Sequence, residues 1–200
     1  MTNQIITSNS RHPLPELPPL ALYVHIPWCI RKCQYCDFNS HAAPNALPED
    51  AYVDALLRDL ELDLPMAAGR TLQSVFIGGG TPSLFSAQAL KRLIDGIHSR
   101  MQCLSDMEIT LEANPGTFEQ AKFAAYRELG INRLSIGIQS FNSAHLKQLG
   151  RVHDGNEALQ AVKIAQQAGF ERINLDLMHG LPNQNSAQAM ADLQQAIELN

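Results

Sequence analysis

The chain has 200 residues, 45% of them hydrophobic, and a formal net charge of -5. That length is enough for one globular domain with a core. The mild acidity and the lack of any basic run argue against a nucleic-acid surface. No apolar stretch approaches the ~20 residues that a membrane helix needs.

The first twenty residues are polar and then proline-rich (Pro13, Pro15, Pro18, Pro19). They predict a disordered, extended lead-in without a hydrophobic signal core, followed by one domain over 21–200. Ala21–Ile26 is a short apolar run rich in β-formers, which predicts a buried strand. Pro27 ends it, so Cys29, Cys33 and Cys36 fall on the loop that follows, spaced C-x3-C-x2-C. The loop continues through Asp37-Phe38-Asn39-Ser40 to Pro48. A helix opens at Glu49-Asp50, carries Tyr52, Val53, Leu56, Leu57, Leu60 and Leu64 as an amphipathic stripe, and stops at Pro65.

Leu72–Ile77 is the second predicted strand, with Gly78-Gly79-Gly80-Thr81-Pro82 after it. Ser86 is placed to cap the next helix, whose face carries Leu90, Leu93, Ile94 and Ile97. Glu108–Leu111 is the third strand and ends in Glu112-Ala113-Asn114-Pro115-Gly116. Thr117 then caps a helix to about Leu129, with Gly130 as its stop. Arg133–Ile138 is the fourth strand and ends in Gln139-Ser140-Phe141. A short segment to Gly150 leads to a helix over about 155–168, closed by Gly169. Arg172–Leu177 is the fifth strand and ends in Met178-His179-Gly180-Leu181-Pro182. Ser186 opens a last helix that runs to Asn200.

Five consecutive βα units predict an α/β fold with a parallel sheet and right-handed crossovers. No Rossmann-type glycine fingerprint opens the first unit, which favours part of a TIM-type (β/α) barrel over an open dinucleotide fold. Every stretch with chemical potential follows the C-terminal end of a strand, where such barrels keep their sites. Strand alternation sharpens this. Glu112, Gln139 and Asp176 lie on the faces opposite Ile109, Leu111, Leu134, Ile136, Ile173 and Leu175. If the apolar faces meet the helices, the polar ones line the lumen. Unpaired, each buried polar group costs about 1–3 kcal/mol, so the lumen calls for a polar ligand or a self-satisfied network.

Three of the four cysteines lie close together with no fourth at a matching distance. Thiolates in this pattern suit an iron–sulfur cluster with one iron left open. Two other readings stand beside it. A zinc site needs a fourth ligand, for which His25 and His41 are the neighbours. Disulfides pair poorly at this spacing and belong to oxidising compartments, so the cysteine usage points to the cytoplasm. Cys103 stands apart, near a predicted helix end, as a free thiol.

The cysteine spacing, with Tyr35 just before the last cysteine, resembles the signature of the radical S-adenosylmethionine (SAM) superfamily. That resemblance implies a [4Fe–4S] cluster on Cys29, Cys33 and Cys36, with SAM on the open iron. Tyr-x-His-x-Pro-x-Cys, Gly-Gly-Gly-Thr-Pro, Glu-Ala-Asn-Pro, Gln139-Ser140-Phe141, Leu149-Gly150-Arg151 and the segment from Asp176 to Pro182 narrow it. Together, over about 20–200, they resemble the HemN/HemW branch of oxygen-independent coproporphyrinogen III dehydrogenases and heme chaperones. The resemblance implies that Tyr23, Tyr35, Gly79, Gly80, Thr81, Glu112, Gln139, Arg151 and Asp176 bind SAM. Gly79 and Gly80 let backbone approach a ligand, although a tight turn explains them as well. Arg151 pairs with a carboxylate, Asp176 accepts from ribose hydroxyls, and Tyr35 offers its ring to adenine. Trp28 and Phe38 either shield the cluster or simply pack. His25 and His179 are structural histidines with a ligand role as the sharper alternative.

The dehydrogenases carry a further cysteine where this chain has Phe38, so the pattern resembles the heme-chaperone side of the branch. It implies heme as cargo and an acceptor protein as partner, with SAM-dependent oxidative decarboxylation of coproporphyrinogen III as the alternative. A complete barrel of this kind has at least one more strand, so a fragment is expected. The resemblance also implies a heme-linked histidine region beyond residue 200.

Overall fold

The computed structural model describes residues 17–116 and 120–199. The chain opens with β1 (Leu20–Ile26) and passes through two short strands, β2 (Trp28–Cys29) and β3 (His41–Ala42). Then come α1 (Glu49–Ala67), β4 (Leu72–Gly79), a 3-10 turn (Pro82–Leu84) and α2 (Ala87–His98). Next are β5 (Cys103–Ala113), α3 (Phe123–Glu128), β6 (Arg133–Gln139) and α4 (Ser143–Gln148). The described chain closes with α5 (Gly155–Gln167), β7 (Arg172–Leu177) and α6 (Ser186–Glu198).

The main sheet has five strands in the order β1-β4-β5-β6-β7, and each neighbouring pair is parallel. Spatial order equals chain order. A doubly wound sheet reverses direction at a switch point; this one never does, so it forms part of a barrel wall. Its outer face carries Val24, Ile26, Val75, Ile77, Leu111, Leu134, Ile136 and Ile138, all buried. They join Val53 and Leu57 of α1, Leu90 and Leu93 of α2, and Ala161 and Val162 of α5 in one core. Each large side chain buried in this way contributes about 1.5–3 kcal/mol.

The inner face is set by register. Glu112 stands beside Ser135, and Ser135 beside Asn174. Gln139, at the end of β6, stands beside Leu177. The polar residues expected to point inward therefore share one wall.

Helix starts follow the side chains that can satisfy free N–H groups. The Ser86 hydroxyl accepts from Ala89 N–H at 3.1 Å. The Glu49 carboxylate in turn accepts from Ser86 N–H (2.8 Å) and Ser86 O–H (2.5 Å), fastening the start of α1 to that of α2. Asp154 with Glu157, and Asn185 with Gln188, form capping boxes for α5 and α6.

Several boundaries differ from the sequence expectation. Pro65 lies inside the last turn of α1 instead of stopping it, and the helix ends at Ala68 in a left-handed conformation. Leu20, expected in the lead-in, already belongs to β1. β5 begins at Cys103, so that residue opens a strand and does not end a helix; its thiol lies 3.5 Å from the Met101 carbonyl. Residues 143–148 form a helix too short for apolar periodicity to reveal, capped by Asn142. The expected Thr117 cap and residues 1–16 of the lead-in lie outside the described residues.

Tyr126, fully buried, aims its hydroxyl at the carbonyls of Ser83 (2.7 Å) and Phe85 (3.2 Å). Lys122 Nζ donates to the same two carbonyls. Tyr126→Phe thus leaves them hydrogen-bonded and should cost only about 1 kcal/mol, at the low end for a buried hydrogen bond. Urea unfolding followed by circular dichroism checks this.

Candidate functional site

The cysteine loop leaves β1 and returns across the C-terminal ends of the strands. Backbone bonds hold it there. Ile26 carbonyl accepts from Gly80 N–H (2.8 Å), Trp28 carbonyl from Thr81 N–H (2.7 Å), and Pro27 and Cys29 carbonyls from His41 and Ala43 N–H (both 2.8 Å). His25 adds a side-chain tie. Its Nε2–H donates to the Asn39 carbonyl at 2.8 Å, which leaves Nδ1 to accept from Tyr23 O–H at 2.9 Å. Trp28 packs its ring against Tyr52 and Phe85 and so belongs to the core.

Beneath the loop lies a cavity of about 660 Å³, within the roughly 300–1,000 Å³ usual for small-molecule sites. Cys29, Cys33 and Cys36 line it, as do Tyr35, Gly79, Gly80, Thr81, Glu112, Gln139, Arg151 and Asp176. Of the residues expected to bind SAM, only Tyr23 is absent from the lining. Its ring stacks on Phe76 with centroids 6.2 Å apart, and its hydroxyl is engaged with His25. Phe38 is exposed at the mouth. His179 is exposed on the rim.

All three cavity cysteines are free thiols and half-buried. Burial pushes the Cys29 thiol up, the Thr81 and Ser40 hydroxyls oppose this, and the neighbouring Cys36 and Cys33 reinforce it. Among the described residues no three His, Cys, Asp or Glu side chains converge on one point as a single metal ion requires. His25 has both ring nitrogens bonded and His41 is exposed. The donor set therefore does not suit tetrahedral zinc. A cubane cluster is different, because each cysteine binds its own iron.

The two glycines are explained by space as well as by ligand access. A Cβ on Gly79 would lie 2.7 Å from the His25 ring, and one on Gly80 would lie 2.7 Å from the Trp28 carbonyl oxygen. Gly79 is crowded by the end of β1 and Gly80 by the start of the cysteine loop. Gly79 N–H also donates to Glu112 at 2.9 Å.

Glu112 and Asp176 bring two carboxylates to the cavity. Burial pushes the Glu112 carboxyl up; the Gly79 hydrogen bond opposes this, Asp176 adds to it and His25 opposes it. Asp176 accepts from Asn174 Nδ2–H at 2.7 Å and Ser135 O–H at 3.1 Å. Arg151 Nη2 donates to Asn114 Oδ1 (2.6 Å) and the Gly137 carbonyl (2.7 Å), while Nη1 reaches Cys33 Sγ at 3.6 Å. Its Nε is buried without a partner among the described residues. Asn114 Nδ2–H also donates to Thr81 Oγ1 at 3.0 Å. Burial pushes the Tyr35 hydroxyl up to about 12, with Arg151 opposing and Cys33 adding to the rise.

Sequence reasoning quoted Asn114 only as part of a motif and gave it no task. The signal was there: Asn114 follows Glu112 by two, so it shares the inner face. Ser135 and Asn174, which hold Asp176, show the same alternation. His153 gave no such signal. It is 5% exposed, and its Nε2 lies 3.1 Å from the Ile138 carbonyl, which accepts. Burial and the nearby Arg151 charge hold it down to about 4, against the Ile138 hydrogen bond and Asp154. Folded protein thus keeps it neutral where unfolded chain protonates near 6.5. Stability is fully present above pH 6.5 and falls as pH drops toward 4, by about 3 kcal/mol in all. Urea midpoints measured from pH 7 to 4 should lose that slope in His153→Gln.

The family model of the radical SAM superfamily matches residues 23–196. The chain belongs to the radical SAM superfamily. It is 55% identical over 185 residues to the heme chaperone HemW of Escherichia coli (strain K12), covering 92% of this chain and 49% of that protein. It is 53% identical over 191 residues to HemW of Haemophilus influenzae (strain ATCC 51907 / DSM 11121 / KW20 / Rd), covering 94% and 50%. The chain therefore spans about half the length of these relatives. The solved structure of coproporphyrinogen III oxidase (HemN) from Escherichia coli, described as a radical SAM enzyme, superposes with a TM-score of 0.81 at 34% identity. It covers 91% of this chain and 42% of that one.

The superfamily implies a [4Fe–4S] cluster and SAM, and the residues present fit both. Three free thiols face one cavity, and beside it the Nε of Arg151 is buried with no partner among the described residues. The Glu112 and Asp176 carboxylates line the same space, which suits a ligand that carries positive charge. No helix among the described residues is long and apolar enough to cross a membrane.

Proposed function

We propose that this chain is the cluster- and SAM-binding part of a heme chaperone of the HemW type, which binds heme and passes it to an acceptor protein. In this reading Cys29, Cys33 and Cys36 ligate the cluster. Glu112 and Asp176 face the cationic portion and ribose of SAM, while Gln139, Thr81 and Tyr35 complete the pocket. Arg151, anchored by Asn114 and Gly137 and reaching Cys33 through Nη1, offers its positive charge to a carboxylate in the cavity. A cluster held there would, in the coproporphyrinogen-oxidising alternative, supply the electron for cleaving a carbon–sulfur bond of SAM. The protein's own residues orient the ligand and exclude water.

The observation that carries the chemical part is the meeting of Cys29, Cys33, Cys36, Glu112, Asp176 and Arg151 in a single cavity. The chaperone part is supported by 55% identity to HemW and by Phe38, which occupies the position where the resemblance implies a further cysteine in the dehydrogenases. A second reading, coproporphyrinogen oxidation, is favoured by the likeness to HemN.

The test uses the full-length protein reconstituted anaerobically with iron and sulfide. It should absorb near about 400 nm, as iron–sulfur charge transfer does, and Cys33→Ser should lose that band. Hemin titration should then saturate, and coproporphyrinogen III with SAM and reductant should remain unchanged. A decarboxylated product would replace the chaperone reading with the oxidase one. Iron-free protein would remove both.

A further inference from the structure

Gln139, at the end of β6, holds φ at +67°. A side chain with a Cβ avoids this region, and such residues persist only where their surroundings impose the conformation. The turn is closed over Gln139 by Ser140 N–H, which donates to the Ile138 carbonyl at 2.9 Å. A three-residue turn with positive φ at its centre is the rarer and more strained hand. Its result is useful: the Gln139 amide lies over Gly137, where a Cβ would come within 2.9 Å of Nε2. That puts it beside Arg151 and Asn114 on the cavity wall.

The restraint comes from outside the cavity. Asp192 of α6 is 5% exposed. One carboxylate oxygen accepts from Ser140 O–H at 2.7 Å and the other from Phe141 N–H at 2.8 Å. Ser140 is itself fully buried, and its hydroxyl oxygen accepts from Asn142 N–H at 3.0 Å. Among the described residues Asp192 has no ion pair. A buried carboxylate is expensive unless fully hydrogen-bonded, so a helix that only needed packing would carry an apolar residue here.

We propose that Asp192 is a positioning residue for the SAM pocket. It grips the two residues after Gln139 and thereby keeps that side chain in its left-handed turn, aimed at the ligand. Asp192 never touches the cavity, and it couples α6 to the site. The functional half of this inference rests on the SAM-binding reading above; the backbone half does not.

Two measurements on the full-length protein separate the halves. The first is SAM affinity by equilibrium dialysis after anaerobic reconstitution, for Asp192→Ala, Gln139→Ala and the double variant. Each single variant should weaken SAM by about tenfold, and the double variant should be no weaker than Gln139→Ala alone, since one residue acts through the other. Iron content should stay at the wild-type level. The second is amide hydrogen exchange at Met178, whose N–H donates to the Gln139 carbonyl at 2.9 Å and touches nothing of Asp192. Asp192→Ala should speed exchange there as well as at Phe141.

Ser140→Ala removes one arm of the grip and retains the Phe141 bond. It provides the same readouts should Asp192→Ala fail to fold. Additive losses of affinity, or unchanged Met178 exchange beside faster Phe141 exchange, would overturn the positioning role. If wild type binds no SAM, the functional reading fails, and Met178 exchange alone decides the backbone claim.

Discussion

Gly80→Ala should produce a protein that keeps its sheet and loses its iron. The new Cβ would stand 2.7 Å from the Trp28 carbonyl oxygen and 2.8 Å from both the carbonyl carbon and oxygen of Pro27. All three are backbone atoms, so no side chain can rotate away. Two hydrogen bonds fix the same contact: Gly80 N–H to Ile26 carbonyl and Thr81 N–H to Trp28 carbonyl. Relief requires the chain at 27–28 to move, and Cys29 is the next residue. Trp28 resists, because its ring is held between Tyr52 and Phe85. The expected result is about 3 kcal/mol of destabilisation, at the upper end for a point substitution, together with loss of the visible band after anaerobic reconstitution. This separates two explanations of the glycine. Were it needed only for ligand approach, Gly80→Ala would keep its iron and lose SAM affinity. Iron per chain and SAM dialysis on the same sample distinguish them.

The parallel sheet was legible because the pattern is written at two scales. Apolar strands alternate with amphipathic helices along the chain, and within strands Glu112, Gln139 and Asp176 alternate with branched apolar residues. Both periods come from backbone geometry and survive without knowledge of any contact. The cysteine loop was legible for a different reason, since metal chemistry restricts spacing in sequence. What escaped depends on contacts between distant segments. Asp192 sits in a helix whose Met190, Leu193 and Ile197 are exposed, so periodicity assigns the inner face wrongly there. His153 lies in a loop with no period at all. Gly79 and Gly80 were noted, but the neighbours that crowd them, the end of β1 and the loop after it, lie more than fifty residues earlier. The short pair β2–β3 has two residues a side, too few for any pattern.

The second large effect is expected at Gly155, the first residue of α5. A Cβ there would lie 2.1 Å from the Phe141 carbonyl oxygen and 3.0 Å from its carbon. Gly155 N–H also donates to Ser143 Oγ at 3.1 Å, holding the helix start against this loop. α5 buries Ala158, Ala161, Val162 and Ala165 against the sheet, so it cannot slide outward without opening the core. Gly155→Ala should therefore destabilise by about 4 kcal/mol, which few single substitutions reach, and lower Tm by about 10 °C for a chain of this size. Gly169→Ala is the control. Its φ is +86° and a Cβ there meets nothing within 4 Å, so only conformation is at stake and about 1 kcal/mol is expected. Equal losses at the two sites would mean that crowding at Phe141 is absorbed, and that the loop carrying Gln139, Ser140 and Phe141 is softer than its hydrogen bonds imply. A loss confined to Gly155 would instead make that loop one unit with the helix behind it. A shift there would then reach Gln139 through the Phe141 and Ser140 backbone, as the grip of Asp192 on the same two residues requires.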